Sequence, residues 1–580
     1  MRQPYRIPRR RINALLGSFV MFCLAIAYRI VTFQVVQSKT LTSEADAFRL
    51  QSDVIPAERG DILDARGRVL ATNVPADRVS AIPAQVTDVQ RTAQLLAPII
   101  GRTASDLVAA ITQPGKEWVV LQRQLPDQKA QQIKALKLPG IVLNAELRRT
   151  YPMGTLAAHV LGFVNDAYVG SYGVEGAYDK VIGGTPGKLV AQRDTSGNII
   201  ALANSVLQPP IDGSNLVLTI DSAVQRVVEQ QLDAALAKHG APSGTVVIQN
   251  AKTGAIIAMA SRPTFDPNNY GQVSSPAVYN NTAIADVYEP GSTFKTLSMS
   301  VGLDTGTVTP NTVHNAGPYK ALPGGGRIYN ALHVDFGPES MMQILEHSSN
   351  LGMLWVVDQV GKDRYYPGIQ AFGIGKPTGV DLPGEAAGIL PLPNQPGWSI
   401  VTMETNAFGQ GLAVTPLQLV NAASAIANGG RLMKPFVVQE IRGASGTRVK
   451  QPTVVRSPIS ATTSQEMTTM LVEAVAASQP YQQYVSVPGY DVAEKTGTAQ
   501  IPAPTGGYLP TVTIASVIGW GPAEDPEYTM LVRVDRPQDT PWGESAAGPT
   551  FRAIFEQLFL LSAVAPTHPI PAASPTPTGG

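Results

Sequence analysis

Hydrophobic residues are unevenly distributed along the chain, and their longest run lies near the N-terminus. Residues 14–36 are nearly all apolar, with Arg29 and Gln34 as interruptions. About 20 apolar residues suffice to cross the hydrocarbon core of a bilayer. The pattern therefore predicts one transmembrane helix over residues 13–37. Residues 1–12 contain five arginines and no acidic residue. We expect this tail to be cytoplasmic, because basic flanks favour that side of the membrane.

A cleaved signal peptide is the alternative interpretation of the same segment. Ala45-Asp46-Ala47 has the small-x-small form of a cleavage site. The apolar run, however, exceeds the hydrophobic region of a signal peptide, which is roughly 7–15 residues long. A retained anchor is therefore the preferred interpretation, and nearly everything after Gln37 is expected outside the cytoplasm.

Residues 38–212 mix short helical and strand patterns. Residues 38–55 have the amphipathic pattern of a helix, and residues 58–71 predict two short strands around a turn at Arg66-Gly67. Further elements are predicted as helices over 89–99, 104–111 and 127–135 and a strand over 118–121. No reactive cluster of side chains occurs here. We interpret residues 38–212 as a stalk, for which a plain spacer is the simplest role.

A second module is predicted after the turn-forming residues 209–214. Strands are predicted over 216–220, 245–249, 255–260, 492–500, 512–520 and 528–534. Helices are predicted over 221–234, where Asp221 is the cap, and over 296–303, 341–345, 412–428, 464–477 and 548–561. Helices with antiparallel strands and no strict βαβ alternation indicate an α+β fold for residues 213–562. Residues 563–580 have the Pro-rich composition of a disordered tail.

Composition narrows the classes of function. The chain carries 44 basic and 44 acidic residues, so its formal net charge is zero and it lacks the electrostatic footprint of a nucleic-acid-binding protein. Cys23 is the one cysteine, and the six histidines are scattered without metal-ligand spacing. Residues 183–188 lack the spacing of a phosphate-binding loop. We expect no metal ion, nucleotide or other cofactor.

Three short stretches carry the candidate chemistry. Ser292 and Lys295 follow Pro290-Gly291 and are three residues apart, so they share one face of a helix start. Alone, they are more typical of a capping serine with a solvated lysine than of a catalytic pair. Ser348-Ser349-Asn350 alone is a turn sequence, and Lys495-Thr496-Gly497 alone is a strand with a glycine. The order Ser-x-x-Lys, Ser-x-Asn, Lys-Thr-Gly is the motif set of penicillin-binding proteins and serine β-lactamases.

Over residues 12–562 the chain resembles a class B penicillin-binding protein, the monofunctional D,D-transpeptidase of peptidoglycan. The stretches that match this family are residues 59–64, 149–154, 157–163, 173–176, 263–268, 409–411 and 415–418. Residues 64–67 depart from the family pattern in the stalk, which leaves the candidate site untouched. Residues 518–523 resemble the cell-division members and favour a septal role, with an elongation role as the alternative.

Chemistry and resemblance together imply a role for each motif residue. A serine hydroxyl needs a base to act as a nucleophile, and Lys295 is the candidate base for Ser292. Burial and the neighbouring cation of Lys495 are expected to favour its neutral form. Ser348 is expected to relay a proton, and Asn350 to orient Lys295 and the substrate amide. Lys495 and Thr496 are expected to bind the terminal carboxylate, and Gly497 to let the substrate approach closely. The backbone N–H groups of Ser292 and Thr498 are expected to form the oxyanion hole.

The resemblance also implies substrates and partners. We expect stem peptides on lipid-linked nascent glycan as substrates, β-lactams as inhibitors, and a multi-spanning glycosyltransferase of the shape, elongation, division and sporulation (SEDS) group, with other divisome membrane proteins, as partners. One alternative is a D,D-carboxypeptidase or β-lactamase with water as the acceptor. The other is a β-lactam sensor or an inactive scaffold, although a cytoplasmic part of about 12 residues is too short to carry a signalling domain.

Overall fold

The chain divides into two compact units in a computed structural model that describes residues 9–39, 50–192, 206–322 and 326–569. The first unit comprises residues 1–58 and 184–212, and the second comprises residues 59–183 and 213–580. The predicted stalk is therefore shared between the two units. Its two ends belong to the first unit, and its middle part, residues 59–183, belongs to the second.

The apolar N-terminal segment forms one long helix. It runs over Arg9–Val31 and continues as a wider π-helical turn over Thr32–Val36. Its most apolar part has a mean hydropathy of 2.1, and none of that part is buried by protein. Within the described ranges this is the one helix long and apolar enough to cross a membrane. The observed helix agrees with the span predicted from the sequence.

The first unit also contains a three-stranded antiparallel sheet. Gly187–Gln192 lies in the middle, between Leu50–Ile55 and Val206–Gln208. The predicted helix over residues 38–55 is therefore wrong at residues 50–55, which form a strand. The partner of this strand lies far along the chain, and strand formation depends on such partners more than on local pattern. Residues 40–49 of that prediction lie outside the described residues.

The second unit begins with a seven-stranded sheet. Ile62–Leu63 and Val69–Ala81 form the predicted pair of strands, and Gly67 in their turn has a φ of +79°. Glycine suits this turn because it adopts positive φ without steric cost. The other strands of this sheet are Val119–Pro126, Ile141–Thr150, Asn215–Leu218, Val438–Gly443 and Gly446–Val449. Asn215–Leu218 pairs in parallel with Ile62–Leu63, so the sheet joins the two chain segments of this unit.

Helices Val89–Ile100, Ala104–Ile111 and Asp127–Leu136 pack on this sheet around buried residues such as Val79 and Leu96. The three helices confirm the sequence prediction to within two residues at each end. Shorter elements of the same segment are Pro83–Gln85, Ala158–Leu161, Phe163–Val164, Gly170–Ser171, Gly173–Ala177 and Asp179–Ile182.

Buried ion pairs hold residues 59–183 together. The carboxylate of Glu175 is inaccessible to solvent, and it accepts hydrogen bonds from Arg59 Nε at 2.6 Å and Arg149 Nε at 2.7 Å. Arg59 Nη1 also donates to Asp179 Oδ1 at 2.7 Å. Charges tolerate burial when they are paired and hydrogen-bonded. These four side chains therefore specify how the short elements around them pack.

Residues after 213 are built on a five-stranded antiparallel sheet. Its strands, in spatial order, are Ile256–Arg262, Ser243–Asn250, Tyr528–Asp535, Tyr508–Gly521 and Ala493–Pro502. Ala493–Pro502 is hereafter the edge strand. The sequence predicts all five strands, with bounds that differ by a few residues, and the structure confirms them.

Helices cover both faces of this sheet. Successive strand residues face opposite sides: Val246 and Ile248 pack in a core with Ser222–His239 and Gly548–Leu561. Val247 packs in the other core, with a second layer of helices. That layer includes Lys295–Asp304 (hereafter the Lys295 helix), Pro416–Ala427 and Ala461–Ala477. The predicted α+β class is confirmed.

Two helices show how capping residues determine where a helix begins. Asp221 accepts a hydrogen bond from Ala223 N, which confirms the predicted cap. The helix predicted over residues 412–428 begins later, at Pro416. Thr415 Oγ1 accepts from Gln418 N at 3.1 Å, and Gln418 Oε1 accepts from Thr415 N at 2.9 Å. This reciprocal capping box ends the preceding extended segment.

The remaining elements of the second unit are shorter helices, turns and strand pairs. The helices are Thr282–Ala285, Met341–Glu346, Asn350–Val360 (hereafter the Asn350 helix), Lys362–Ala371, Ile400–Asn406, Gln479–Val485 and Gly543–Ala546. Short 3₁₀ segments occur at Pro267–Gln272, Pro276–Tyr279, Gly291–Phe294 and Ala331–His333. Small strand pairs are Val313–Asn315 with Pro338–Ser340, Lys320–Ala321 with Arg327–Ile328, and Leu432–Met433 with Val454–Arg456. The sequence interpretation did not include the Asn350 helix.

Candidate active site

Ser292 lies in the turn that starts the Lys295 helix. Gly291–Phe294 forms one 3₁₀ turn, and the α-helix begins at Lys295. Gly291 has a φ of +58°, and its N–H donates to the carbonyl of Gly409 at 3.1 Å. A Cβ on Gly409 would lie 2.2 Å from the carbonyl oxygen of Gly291. This glycine-to-glycine contact holds the half-buried Ser292 at the helix start, where the sequence predicts it.

Lys295 is fully buried and its amine is held by the second motif. Lys295 Nζ donates to the carbonyl oxygen of Ser348, lies 3.2 Å from Ser348 Oγ, and donates to Asn350 Oδ1 at 2.8 Å. Burial, assisted by the positive charge of Lys495, lowers the pKa of Lys295 well below its ordinary value. Glu339 opposes this shift. The amine is therefore suited to accept a proton.

The second motif is a turn between two helices. Met341–Glu346 ends before it, and Asn350 begins the next helix, with Ser349 Oγ accepting from Gly352 N at 3.1 Å. Ser348 has a φ of +53°, a left-handed conformation that is uncommon for a residue other than glycine. Residues held in such conformations cluster at functional sites. The turn directs both its carbonyl oxygen and its hydroxyl towards Lys295.

A buried asparagine that the sequence interpretation missed supports this turn. Asn330 Oδ1 accepts from Asn350 N at 2.8 Å and Leu351 N at 3.0 Å, and Asn330 Nδ2 donates to the carbonyl of Val334 at 3.0 Å. Asn330 thus satisfies the free N–H groups at the start of the Asn350 helix. No signal in the local sequence identifies it, because its partners lie 20 residues later.

The third motif lies in the edge strand. Lys495 is 4% exposed, and burial lowers its pKa to about 8. A Cβ on Gly497 would lie 2.9 Å from Thr293 Cγ2 and 3.0 Å from the carbonyl oxygen of Pro290. Glycine is therefore required where the edge strand passes the Ser292 turn, a reason distinct from the predicted approach of substrate. Thr498 Oγ1 accepts from Gly543 N at 3.0 Å.

One cavity of about 830 Å³ brings the three motifs together. The predicted residues that line it are Ser292, Ser348, Asn350, Lys495, Thr496 and Thr498. Lys295 and Gly497 do not line it, and each contacts a neighbouring motif instead. Three segments that together span about 200 residues of sequence thus share one concave site. Their individual roles stay predictions.

Glu494 is a second residue that the sequence interpretation missed. It precedes Lys495 in the edge strand, is 2% exposed and lines the cavity. Both of its carboxyl oxygens are buried without a completed hydrogen bond, although the Tyr481 hydroxyl approaches them. Burial raises the pKa of Glu494 to about 8. Its position beside the motif was visible in the sequence, but its burial was not.

A histidine–carboxylate pair also borders the cavity. His347 Nδ1 lies 2.9 Å from Glu339 Oε1, and the His347 ring stacks on Phe336 with centroids 4.5 Å apart. Glu339 is 2% exposed, whereas His347 lines the cavity next to Ser348. The sequence interpretation treated the histidines as scattered and missed this pair, which forms where strand Pro338–Ser340 is followed by helix Met341–Glu346.

One group of possible metal ligands occurs among the described residues. Asp491, Glu524 and His568 have ligand atoms within 4.8 Å of one another. His568 Nε2 lies 2.9 Å from Asp491 Oδ2, and this carboxylate raises the pKa of His568. None of the three lines the cavity. The group is explained as an exposed ion pair at the chain end.

A serine at a helix start, a buried amine one turn later and a cavity with a cation on its wall define a serine acyl-transfer site. The family description "Penicillin binding protein transpeptidase domain" matches residues 244–556. The description "Penicillin-binding Protein dimerisation domain" matches residues 54–218. The chain therefore belongs to the penicillin-binding proteins, in the class B form that combines these two domains.

Known relatives match nearly the whole chain. Stage V sporulation protein D of Bacillus subtilis (strain 168) is 35% identical over 551 residues, which cover 94% of this chain and 84% of that protein. Peptidoglycan D,D-transpeptidase FtsI of Escherichia coli (strain K12) is 32% identical over 557 residues, which cover 93% and 91%.

Solved structures share the same architecture. Penicillin Binding Protein 2X from Streptococcus thermophilus has a TM-score of 0.72 and 25% identity, with coverage of 88% of this chain and 81% of that one. Penicillin binding protein 3 from Mycobacterium tuberculosis, complexed with aztreonam, has a TM-score of 0.69 and 28% identity, with coverage of 89% and 99%.

Proposed function

We propose that this chain is a serine D,D-transpeptidase that cross-links peptidoglycan stem peptides through an acyl-enzyme on Ser292. The observation that carries the proposal is the buried amine of Lys295, which follows Ser292 by one turn and is bound by both Ser348 and Asn350. Relatives named peptidoglycan D,D-transpeptidase support the same reaction. The family also binds penicillin, as its name states.

Lys295 is the base of the first step. Its lowered pKa leaves a larger neutral fraction than a solvated lysine has. The neutral amine takes the proton of the Ser292 hydroxyl while Ser292 Oγ attacks the carbonyl carbon of the penultimate D-Ala. The proton then passes through Ser348 Oγ, 3.2 Å from Lys295 Nζ, to the nitrogen of the terminal D-Ala. The C–N bond breaks and the terminal D-Ala leaves.

The edge strand binds and orients the substrate. Lys495 and Thr496 bind the terminal carboxylate, and the same groups bind the carboxylate of a β-lactam. The backbone N–H groups of Ser292 and Thr498 hold the oxyanion of the tetrahedral intermediate. Loss of one donor of this kind typically slows a reaction by about 100- to 1000-fold.

In the second step an amine on a neighbouring stem peptide attacks the acyl-enzyme. The new C–N bond forms, the ester bond to Ser292 Oγ breaks, and the cross-linked product leaves. A β-lactam stops at the acyl-enzyme, because its former ring nitrogen stays attached to the acyl group and blocks the position of the acceptor. This persistent adduct provides a direct probe of the site.

The cellular setting is part of the proposal. The apolar helix anchors the chain in the cytoplasmic membrane once, and the arginine-rich tail favours an N-terminus in the cytoplasm with the catalytic residues outside. Resemblance to FtsI supports action at the division septum. Stem peptides on lipid-linked nascent glycan are the proposed substrates. A multi-spanning SEDS-type glycosyltransferase and other divisome membrane proteins are the proposed partners.

Labelling and product assays test the proposal. The full chain in detergent is treated with a fluorescent penicillin, and the Ser292→Ala variant is expected to lose the label while keeping its thermal unfolding transition. Nascent glycan with stem peptides is then supplied and the products are separated. Cross-linked dimers support a transpeptidase, whereas free D-Ala without dimers indicates a carboxypeptidase. Opened β-lactam that accumulates over many turnovers indicates a β-lactamase.

A further inference from the structure

The paired residues His347 and Glu339 have no role in the reaction as described so far. A carboxylate oxygen accepts hydrogen bonds and does not donate them. The proton in the 2.9 Å contact therefore belongs to Nδ1 of His347, which leaves Nε2 as the acceptor nitrogen of the ring. Phe336 stacks on the same ring and limits its rotation. His347 lines the cavity that also contains Ser292 and Ser348.

The second step of the proposed reaction needs a base that the first step does not. An aliphatic amine is protonated near neutral pH, and an ammonium nitrogen has no lone pair for attack. An ammonium group must lose two protons to become the N–H of an amide. Lys295, neutral again after the terminal D-Ala has left, can take one of these protons and return it to Ser292 Oγ. The other proton requires a different acceptor.

We infer that His347 is a further catalytic residue that takes the first proton from the ammonium group of the acceptor stem peptide, with Glu339 holding the ring in the competent tautomer. The ammonium proton moves to His347 Nε2, and the freed amine attacks the ester carbonyl of the acyl-enzyme. The second proton passes through Ser348 and Lys295 to Ser292 Oγ as the ester bond breaks. His347 then releases its proton to solvent. This inference rests on the proposed transpeptidase function.

The surroundings of His347 are consistent with this role. Buried Glu339 stabilises the imidazolium that forms, as a carboxylate does in other histidine bases. Glu339 also acts electrostatically on Lys295, so the two bases belong to one connected group. The other charged side chains and histidines of the cavity lining are Arg327, His333, Glu346, Glu494, Lys495 and Glu544, and its tyrosines are Tyr329, Tyr481 and Tyr484.

A partition experiment tests the inference with the full chain in detergent. The donor is a thioester analogue of the D-Ala-terminated peptide, which releases a thiol on acylation, and the acceptor is glycine. In the His347→Gln variant we expect the ratio of aminolysis to hydrolysis product to fall about 100-fold, a loss typical of a missing general base. Penicillin acylation of the variant should stay close to the wild-type rate, because the first step does not use His347.

Two comparisons separate proton transfer from a structural role. Glycinamide has a less basic amine than glycine, so its aminolysis should lose less in His347→Gln, and the loss with either acceptor should shrink as the pH rises. His333→Gln is the matched control, because His333 lines the same cavity but stacks on Tyr329 at 4.1 Å instead of binding a carboxylate. Its product ratio should equal that of the wild type.

An unchanged product ratio with glycine in His347→Gln would overturn the inference. If that variant does not fold, Glu339→Gln decides, since its amide oxygen still accepts from Nδ1 but cannot stabilise the imidazolium. Glu339→Gln can alter the acylation rate through Lys295, but the ratio compares two fates of one acyl-enzyme and does not depend on that rate. A lower ratio in Glu339→Gln supports the inference, and an unchanged ratio overturns it. A wild-type chain that releases no thiol from the donor contradicts the proposed transpeptidase function itself.

Discussion

The amine of Lys295 lies 2.8 Å from the amide oxygen of Asn350, so the first residues of two helices meet beside the candidate nucleophile. Asn350 is itself held, because its Nδ2 donates to the carbonyl of Tyr329 at 3.1 Å. The contact fixes the direction of an amine that has no access to solvent. The proposed base for Ser292 therefore takes its position from a neighbouring helix.

Removing this contact should slow acylation. In Asn350→Ala the buried amine loses one acceptor, which costs about 1–3 kcal/mol and corresponds to a decrease of roughly 5- to 150-fold in the penicillin acylation rate. Asn350→Asp is the informative comparison, because a carboxylate beside Lys295 raises the pKa of the amine. Its acylation should be slow near neutral pH and recover as the pH rises. A wild-type rate in Asn350→Ala would contradict the role assigned to Asn350.

The pH profile of β-lactam acylation should reflect both lysines. On the acid side the second-order rate should rise with pH as Lys295, whose pKa is lowered by burial, loses its proton. On the alkaline side the rate should fall as the pH passes through about 8, where Lys495 loses the charge that binds the carboxylate. A chromogenic β-lactam followed across a pH series measures both limbs. A rate that climbs steadily into strongly alkaline solution would argue against Lys495.

Glu494 should shift the alkaline limb of that profile. Its carboxylate raises the pKa of Lys495, so Glu494→Gln is expected to move the fall in rate to lower pH. The acid limb should stay in place, because Lys495 and Glu339, and not Glu494, are the charges that act on Lys295. An alkaline limb at the same pH in both proteins would show that Glu494 does not act on Lys495.

Gly497 should not tolerate a methyl group. In Gly497→Ala the new Cβ would press against Thr293, Pro290 and Ser516 at 2.8–3.0 Å. Overpacking of this kind costs about 1–3 kcal/mol, and here it displaces the Ser292 turn. We expect a large fall in the penicillin acylation rate and only a small fall in the unfolding temperature. Gly271→Ala is the matched control, since nothing lies within 4 Å of its Cβ position. Equal acylation in the two variants would refute the packing argument.

Glu175 should matter for stability and not for chemistry. Glu175→Gln leaves the buried guanidinium groups of Arg59 and Arg149 without their shared negative charge, which should lower the free energy of unfolding by about 3–5 kcal/mol. Urea denaturation measures the loss. Glu556→Gln breaks the exposed pair with Arg552 and should cost at most about 1 kcal/mol. Similar losses in both variants would contradict the account of the buried pairs.

The sequence predicted correctly those elements and motifs that depend on local hydrophobic periodicity and on the order of short motifs. All five strands of the central sheet, the closing helix Gly548–Leu561 and the Asp221 cap follow from local pattern. The three motifs were also visible, because each consists of neighbouring residues. The strand at Leu50–Ile55 was mistaken for a helix, since its pairing partner lies far along the chain.

The parts that sequence could not supply depend on distant contacts. Asn330 binds the start of a helix 20 residues later, and Glu339 meets His347 across a strand–helix junction. The burial of Glu494 depends on how its neighbours pack around the edge strand. Local sequence does not specify such packing, so these residues are identified only in the structure. They are also the residues that control charge and orientation in the cavity.

The acylation rate of Lys295→Ala tests the central claim most directly. Intact-mass measurement follows the penicillin adduct over time in wild-type and variant chains, and peptide mapping assigns the adduct to Ser292. If the buried amine is the base for Ser292, the variant should keep its fold and acylate about 100- to 10,000-fold more slowly near neutral pH. A folded Lys295→Ala variant that acylates on Ser292 at the wild-type rate would contradict the account.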